Sequence, residues 1–251
     1  MQVDIGRMNA EDVARRMDYA ILKPALPETD YLKGCETTKK YRFIAYHVLP
    51  SRLPVVVGEL ASFAREHGIE LGAPIAFPYG STPTKVKLAE AEQLIAAGAT
   101  ALDMVANVGW LKDRRYDLYE KECAEHIRLC HSAGINGKVI IEVGYLTDEE
   151  VIAATRMVIE AEADFVKTAT GAGPSGFPNH HQVELMLSTL HEAGSRTGLK
   201  VAGVSAPRVQ NTYDFIRMGV DRIGTSSAPE IVDALPEVQR ELLAHPAGEH
   251  A

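Results

Sequence analysis

Aromatic side chains are scarce in this chain: they make up 6% of 251 residues, with a single tryptophan. The 46% of hydrophobic residues is therefore carried mainly by Ala, Val, Leu and Ile. Small branched side chains of this kind suit strands buried on both faces, with helices packed closely against them. Cysteine is nearly missing. Cys35, Cys123 and Cys130 form an odd set without paired spacing, which argues against a disulfide framework and reads as buried thiols in a reducing cytosol. No apolar run approaches the ~20 residues that cross a bilayer, and the polar stretch Met1 to Met17 has no signal-peptide core. Positive charge is in deficit, with 26 Lys and Arg against 34 Asp and Glu and a net charge of −8. That balance disfavours nucleic acid and anionic membranes as partners, while leaving room for a local cationic pocket. The expectation is a cytoplasmic protein.

What the chain does have is alternation. Strand-like apolar runs fall at 17–22, 43–48, 69–76, 101–106, 138–143, 164–168, 199–203 and 221–224. Helical patterns lie between and after them at 28–40, 51–67, 82–97, 114–133, 147–161, 179–196, 207–218 and 229–243. Thr147 with Glu150 three residues later forms a capping box. Pro83 and Pro207 suit helix starts, and Gly68 and Gly219 stand where a left-handed C-terminal cap is wanted. Eight strands alternating with eight helices predict an α/β fold, a (β/α)8 TIM barrel in one domain over 1–251. Residues 1–12 read as an N-terminal extension or helix and 244–251 as a frayed tail. The competing architecture is a doubly wound open sheet. No Gly-x-Gly-x-x-Gly follows the first strand, so no dinucleotide is expected, and no cofactor or metal is called for.

Charges interrupt this apolar pattern. Lys167 ends the run Ala163–Val166, Lys200 ends another, and Asp103 sits inside Ala101–Val105. Charged groups are rarely placed in buried strands without use. In a barrel, chemistry sits at the C-terminal strand ends. Strands six and seven are neighbours and strand four lies across from them, so the three side chains can converge. A lysine in a partly dry pocket beside a second cation loses its proton more easily and can then attack a carbonyl to form an imine. A carboxylate nearby can relay protons, directly or through water. Thr170 and Gly171 follow Lys167 in a loop with the composition of a small-molecule site. Gly224, Ser226 and Ser227 precede a helix start near Pro229, a suitable anion cradle; an ordinary capped turn would look the same. His47 can hydrogen-bond a substrate hydroxyl or simply wall the pocket. Asp18 can orient Lys200 or a hydroxyl. His180 and His181 read as surface residues.

These residues resemble a known family, the deoxyribose-phosphate aldolases, along nearly the whole chain. The resemblance is carried by Met17-Asp18 with Leu22-Lys23-Pro24, and by Phe77-Pro78-Tyr79-Gly80 with Thr84-Lys85-Val86-Lys87. It continues through Leu102-Asp103-Met104-Val105, Ile140-Ile141-Glu142, Asp164-Phe165-Val166-Lys167-Thr168 and Gly224-Thr225-Ser226-Ser227. It implies a class I aldolase with Lys167 as the Schiff-base residue, Lys200 as the second lysine that lowers its pKa, and Asp103 as the proton-relay acid. The implied reaction is reversible cleavage of 2-deoxyribose 5-phosphate to acetaldehyde and glyceraldehyde 3-phosphate, without a metal. Where the family has a glycine pair for the phosphate, this chain keeps Gly203 but has Val204, and the arginine that often follows is displaced to Arg208. Histidine replaces the frequent cysteine at position 47. Changes grouped on the phosphate side predict a shifted aldol substrate.

The expected partner is thus a small aldehyde or sugar, phosphorylated or not, with room for a homo-oligomer. Two other readings stay open. One is another imine-forming or phosphate-binding barrel enzyme. The other is a non-catalytic ligand-binding protein on an aldolase scaffold.

Overall fold

The computed structural model describes residues 3–174 and 176–244. Eight parallel strands close into a barrel in sequence order: β1 (Met17–Ile21), β2 (Ala45–Val48), β3 (Glu70–Ile75), β4 (Ala101–Val105), β5 (Asn136–Ile140), β6 (Phe165–Lys167), β7 (Gly198–Ala202) and β8 (Arg222–Thr225). The closing pair is β1 with β8, in the register Asp18 to Gly224. Helices fill each crossover, so the expected (β/α)8 barrel is the fold found and the open sheet is not. The tail expected from 244 onward lies outside the described residues except for Ala244, which ends the last helix.

Local signals explain most boundaries. Thr147 accepts from the Glu150 amide while Glu150 accepts from the Thr147 amide, so the expected capping box is present. Gly68 (φ 59°) and Gly219 (φ 105°) cap their helices in the left-handed region, which glycine enters without a Cβ penalty. Pro83 and Pro207 stand one residue before their helices, as caps. The fifth strand ends at Ile140, not Val143, because Glu142 turns to φ 55° and ψ 64°, outside extended geometry. The helix expected over 229–243 is two helices, Ala228–Asp233 and Leu235–Ala244. Pro236 has no N–H to continue the ladder there. A short helix, Val108–Lys112, was not anticipated and is capped by Asn107.

Outward faces of the strands pack aliphatic residues such as Leu102, Met104, Val139, Val166, Leu199 and Ile223 under the helices. Behind the end of β4 a fully buried ion pair, Lys87 Nζ to Glu122 Oε2 at 2.9 Å, ties the helices Thr84–Ala96 and Tyr116–Ser132 together. Lys87 also donates to the Val105 carbonyl, and the Asn107 amide donates to Glu122.

The inner face is unusual. TIM barrels generally fill the interior with layers of branched aliphatic side chains. Here each strand contributes one basic or acidic group: Asp18, His47, Glu70, Asp103, Lys138, Lys167, Lys200 and Arg222. Arg222 holds both Glu70 oxygens at 2.6 Å, and Lys138 reaches Glu70 at 3.0 Å and Asp103 at 3.5 Å. The Phe165 ring lies 4.3 Å from the Arg222 guanidinium and 5.9 Å from Lys138 Nζ, within range of cation–π attraction.

Burial alone would raise the Glu70 carboxyl. Lys138 beside it and the Arg222 hydrogen bonds overcome this and hold it at about 2. A depressed acid stabilises the fold above its unfolded pKa of about 4.5 and loses that contribution as pH falls toward 2. Glu70→Gln is therefore expected to cost about 3–5 kcal/mol at pH 7. The difference from wild type should shrink as pH is lowered through that window. Urea denaturation at pH 7 and pH 3 measures both values, and a pH-independent difference would contradict the assignment.

Candidate active site

Strand register brings the reactive groups together. Lys167 on β6 sits directly across from Lys200 on β7, and Ile140 on β5 is the other neighbour of Lys167. Asp103 reaches across the barrel from β4. One of its oxygens, Oδ2, lies 2.9 Å from Lys167 Nζ and 2.7 Å from Lys200 Nζ. Lys200 also donates to Asp18 Oδ2 at 2.5 Å. Exposure falls to 4% for Lys167, 1% for Lys200 and 0% for both aspartates. The expected convergence of Asp103, Lys167 and Lys200 is present, and Asp18 is in contact with Lys200. Asp18 occupies the second position of β1.

The other oxygens of the two aspartates face His47 on β2. Its Nδ1 is 2.7 Å from Asp18 Oδ1 and its Nε2 is 3.1 Å from Asp103 Oδ1. Both oxygens meet the ring obliquely and have no aligned hydrogen bond. Both ring nitrogens are thus turned to carboxylates, and the ring also lines the cavity above.

Burial would raise the Asp18 and Asp103 carboxyls. For Asp18 the charges of His47 and Lys200 reverse this, and for Asp103 those of His47, Lys167, Lys200 and Lys138 do so, holding both well below the usual range. Burial pushes the Lys200 ammonium down against the pull of Asp103 and Asp18, with Lys167 and Lys138 adding to the fall. Asp18, His47 and Asp103 have ligand atoms within 4.8 Å of one another, the spacing of a metal site. A metal cation there would share its carboxylates with Lys200, Lys167 and Lys138, and like charges at that range repel. The donors match ammonium groups.

A cavity of about 580 Å³ opens above this layer, with Lys167, Lys200 and Asp103 in its lining. Thr170, Gly171, Gly203, Gly224 and Ser226 line it as expected. Ser227 does not. Its amide donates to Thr225 Oγ1 and its side chain makes no cap, so the tight turn carries it out of the lining. Gly224 leaves room for the second lysine, since a Cβ there would lie 3.1 Å from Lys200 Cε. The left-handed conformation of the β7 loop falls on Gly203 (φ 75°), and Val204 has no positive φ. The missing second glycine therefore introduces no strain of that kind. Arg208 and Lys23, both exposed, bring positive charge to the cavity.

Sequence reasoning missed Lys138, Glu70 and Arg222, although charge inside three strand patterns was a visible signal. It also missed Glu142. Burial raises that carboxyl, and it accepts from the Thr170 amide at 3.0 Å, holding the loop that follows Lys167. Thr168 is a further bridge. Its hydroxyl donates to the Ala202 carbonyl at 3.2 Å and accepts from the Ala202 amide at 3.0 Å, fastening β6 to β7 beside the two lysines.

A family model described as "DeoC/LacD family aldolase" matches residues 61–213. The deoxyribose-phosphate aldolase of Thermococcus kodakarensis is 38% identical over 230 residues, 92% of this chain and 100% of that one. A solved structure described as "QR15, an Aldolase" superposes with a TM-score of 0.79 at 32% identity, covering 92% of this chain and 98% of that one. The deoxyribose phosphate aldolase from Aeropyrum pernix, described as tetrameric, gives 0.78 at 28% identity over 93% and 96%.

The bridge at Thr168 yields a direct test. Thr168→Val keeps the shape but strands a buried amide and carbonyl, which should destabilise the barrel by about 1–3 kcal/mol. Chemical denaturation reads the loss.

Proposed function

This chain belongs to the DeoC/LacD family of aldolases, and we propose that it breaks and makes its carbon–carbon bond through an imine on Lys167, as an aldehyde-lyase. The observation that carries this reading is the single oxygen Asp103 Oδ2 shared by two buried amines, at 2.9 and 2.7 Å, on the floor of the cavity. The buried charge layer holds five basic groups against three carboxylates. Full protonation would leave excess positive charge in a dry space, and one uncharged amine relieves it.

The relatives' name supplies the substrate class, a 2-deoxy sugar phosphate. Lys167 Nζ attacks the C1 aldehyde of the open chain. Asp103 takes the ammonium proton and returns it to the carbinolamine oxygen, which leaves as water. The protonated imine draws the electron pair of the C2–C3 bond into a C1=C2 enamine. The C3 hydroxyl loses its proton and becomes the aldehyde of the departing three-carbon product. Protonation at C2 and addition of water release acetaldehyde and the free amine. In this reading the phosphate lies toward the loops of Gly171, Gly203 and Ser226, with the exposed Arg208 as its counter-charge.

A cytoplasmic location belongs to the same proposal. Among the described residues no helix is long and apolar enough to cross a membrane, and all three cysteines are buried thiols. Self-association is included too, by analogy with the Aeropyrum pernix relative.

Borohydride with the aldol substrate should leave a reduced adduct on Lys167, identified by peptide mass spectrometry, and Lys167→Leu should abolish it. An adduct on another residue overturns the assignment. Lys200→Leu leaves Asp103 Oδ2 to Lys167 alone and should lower kcat by about 10²-fold or more. Arg208→Ala should raise KM for the phosphate ester by on the order of tenfold and leave the unphosphorylated sugar unaffected in steady-state kinetics.

A further inference from the structure

Position 47 departs from the family resemblance, and the fold is shaped around the departure. His47 and Gly72 are direct partners in the β2–β3 register. A Cβ on Gly72 would fall 2.3 Å from His47 Nε2, 2.6 Å from Cε1 and 2.7 Å from Cδ2. The imidazole therefore fills the space left by a missing side chain on the adjacent strand. It is 2% exposed, and its two nitrogens face two different carboxylates.

Each carboxylate is divided in the same way. Asp18 Oδ2 takes Lys200, and Asp103 Oδ2 takes Lys200 and Lys167. Asp18 Oδ1 and Asp103 Oδ1 have no aligned hydrogen bond among the described residues, and Lys138 Nζ also lies 3.5 Å from Asp103 Oδ1. A neutral imidazole carries a lone pair on one nitrogen. Set about 3 Å from a carboxylate oxygen, that lone pair would repel it. A ring protonated on both nitrogens attracts both oxygens.

We propose that His47 is a positioning residue whose imidazolium, lodged between Asp18 and Asp103, fixes the proton-moving carboxylate and sets the pH range of catalysis. The proposal rests on the lyase reading of the site. It differs from a substrate contact because both ring nitrogens face carboxylates. The charged groups that share this layer are Asp18 from β1, Glu70 from β3, Asp103 from β4, Lys138 from β5, Lys167 from β6, Lys200 from β7 and Arg222 from β8. The ring lowers the proton affinity of both aspartates. By the same electrostatics a positive charge at this place disfavours a proton on every neighbouring amine.

The sign of the test follows. Removing one positive charge favours protonation of all its neighbours, so both limbs of the pH profile of kcat should move to higher pH. In His47→Gln, which keeps size and polarity without charge, the expected displacement is about one pH unit, with KM unchanged. Gly72→Ala, with His47 retained, should displace the ring and shift the profile in the same direction. Histidine-labelled wild-type protein provides a readout independent of activity. Its ¹⁵N spectrum at pH 7 should show both nitrogens of His47 protonated. An unprotonated ring nitrogen overturns the proposal. So does a profile that stays in place while activity falls with thermal stability, or a raised KM with intact kcat. A wild-type enzyme that cleaves no aldol defeats the lyase reading instead, and the spectrum still decides the charge of the ring.

Discussion

The shared oxygen of Asp103 is the constraint around which the molecule is organised. It lies between two lysine amines that would repel each other if both were charged, on the floor of the cavity. Through its other oxygen the same carboxylate connects by Lys138 to Glu70 and Arg222, and by His47 to Asp18. A connected set of charges thus spans the barrel, with one member from each strand. Removing one member of a buried set leaves the others uncompensated, which costs far more than any single pair contributes in water. The strand register, the two aspartates and the lysine pair therefore stand together. The outer aliphatic layer under the helices supplies the hydrophobic stabilisation that a charged interior does not.

Reactivity and rigidity meet at the end of β6. The strand is only three residues long, and its last residue is the proposed nucleophile. Beyond it the chain is secured from two sides, by Thr168 to Ala202 and by Glu142 to the Thr170 amide. These contacts limit the freedom of Lys167 on two sides while leaving the cavity open above it. The β7 loop also shows how the binding region can change without damage to the scaffold. Its left-handed residue remains a glycine at 203, so a valine at 204 alters the wall of the cavity and not the path of the chain.

Much of this could be read from the amino acids in order. The barrel was legible because buried parallel strands and amphipathic helices differ in length and period, and eight of each fit the chain. Lys167, Lys200 and Asp103 were legible because charge is rare in such strands. The height of Asp18 in its strand could not be read, since the stagger between strands cannot be counted from one sequence. Glu70, Lys138 and Arg222 escaped because a charge near the start of a strand ordinarily reaches solvent. His47 was left open between a substrate contact and a pocket wall, since its two carboxylate partners arrive from strands far apart in the chain. Ser227 looked like an anion donor by composition, and one hydroxyl–amide bond from Thr225 removed it. Pro236 was visible in the sequence, yet its division of the last helix went unread.

The fit between ring and glycine on adjoining strands joins two positions into one constraint. With the ring where it sits, a side chain at 72 meets it, so a larger residue there has to move the imidazole. Glycine opposite something smaller would leave only a small void, a tolerable defect. A single position read in isolation would look freely exchangeable, whereas exchange at either one alters what the other can hold.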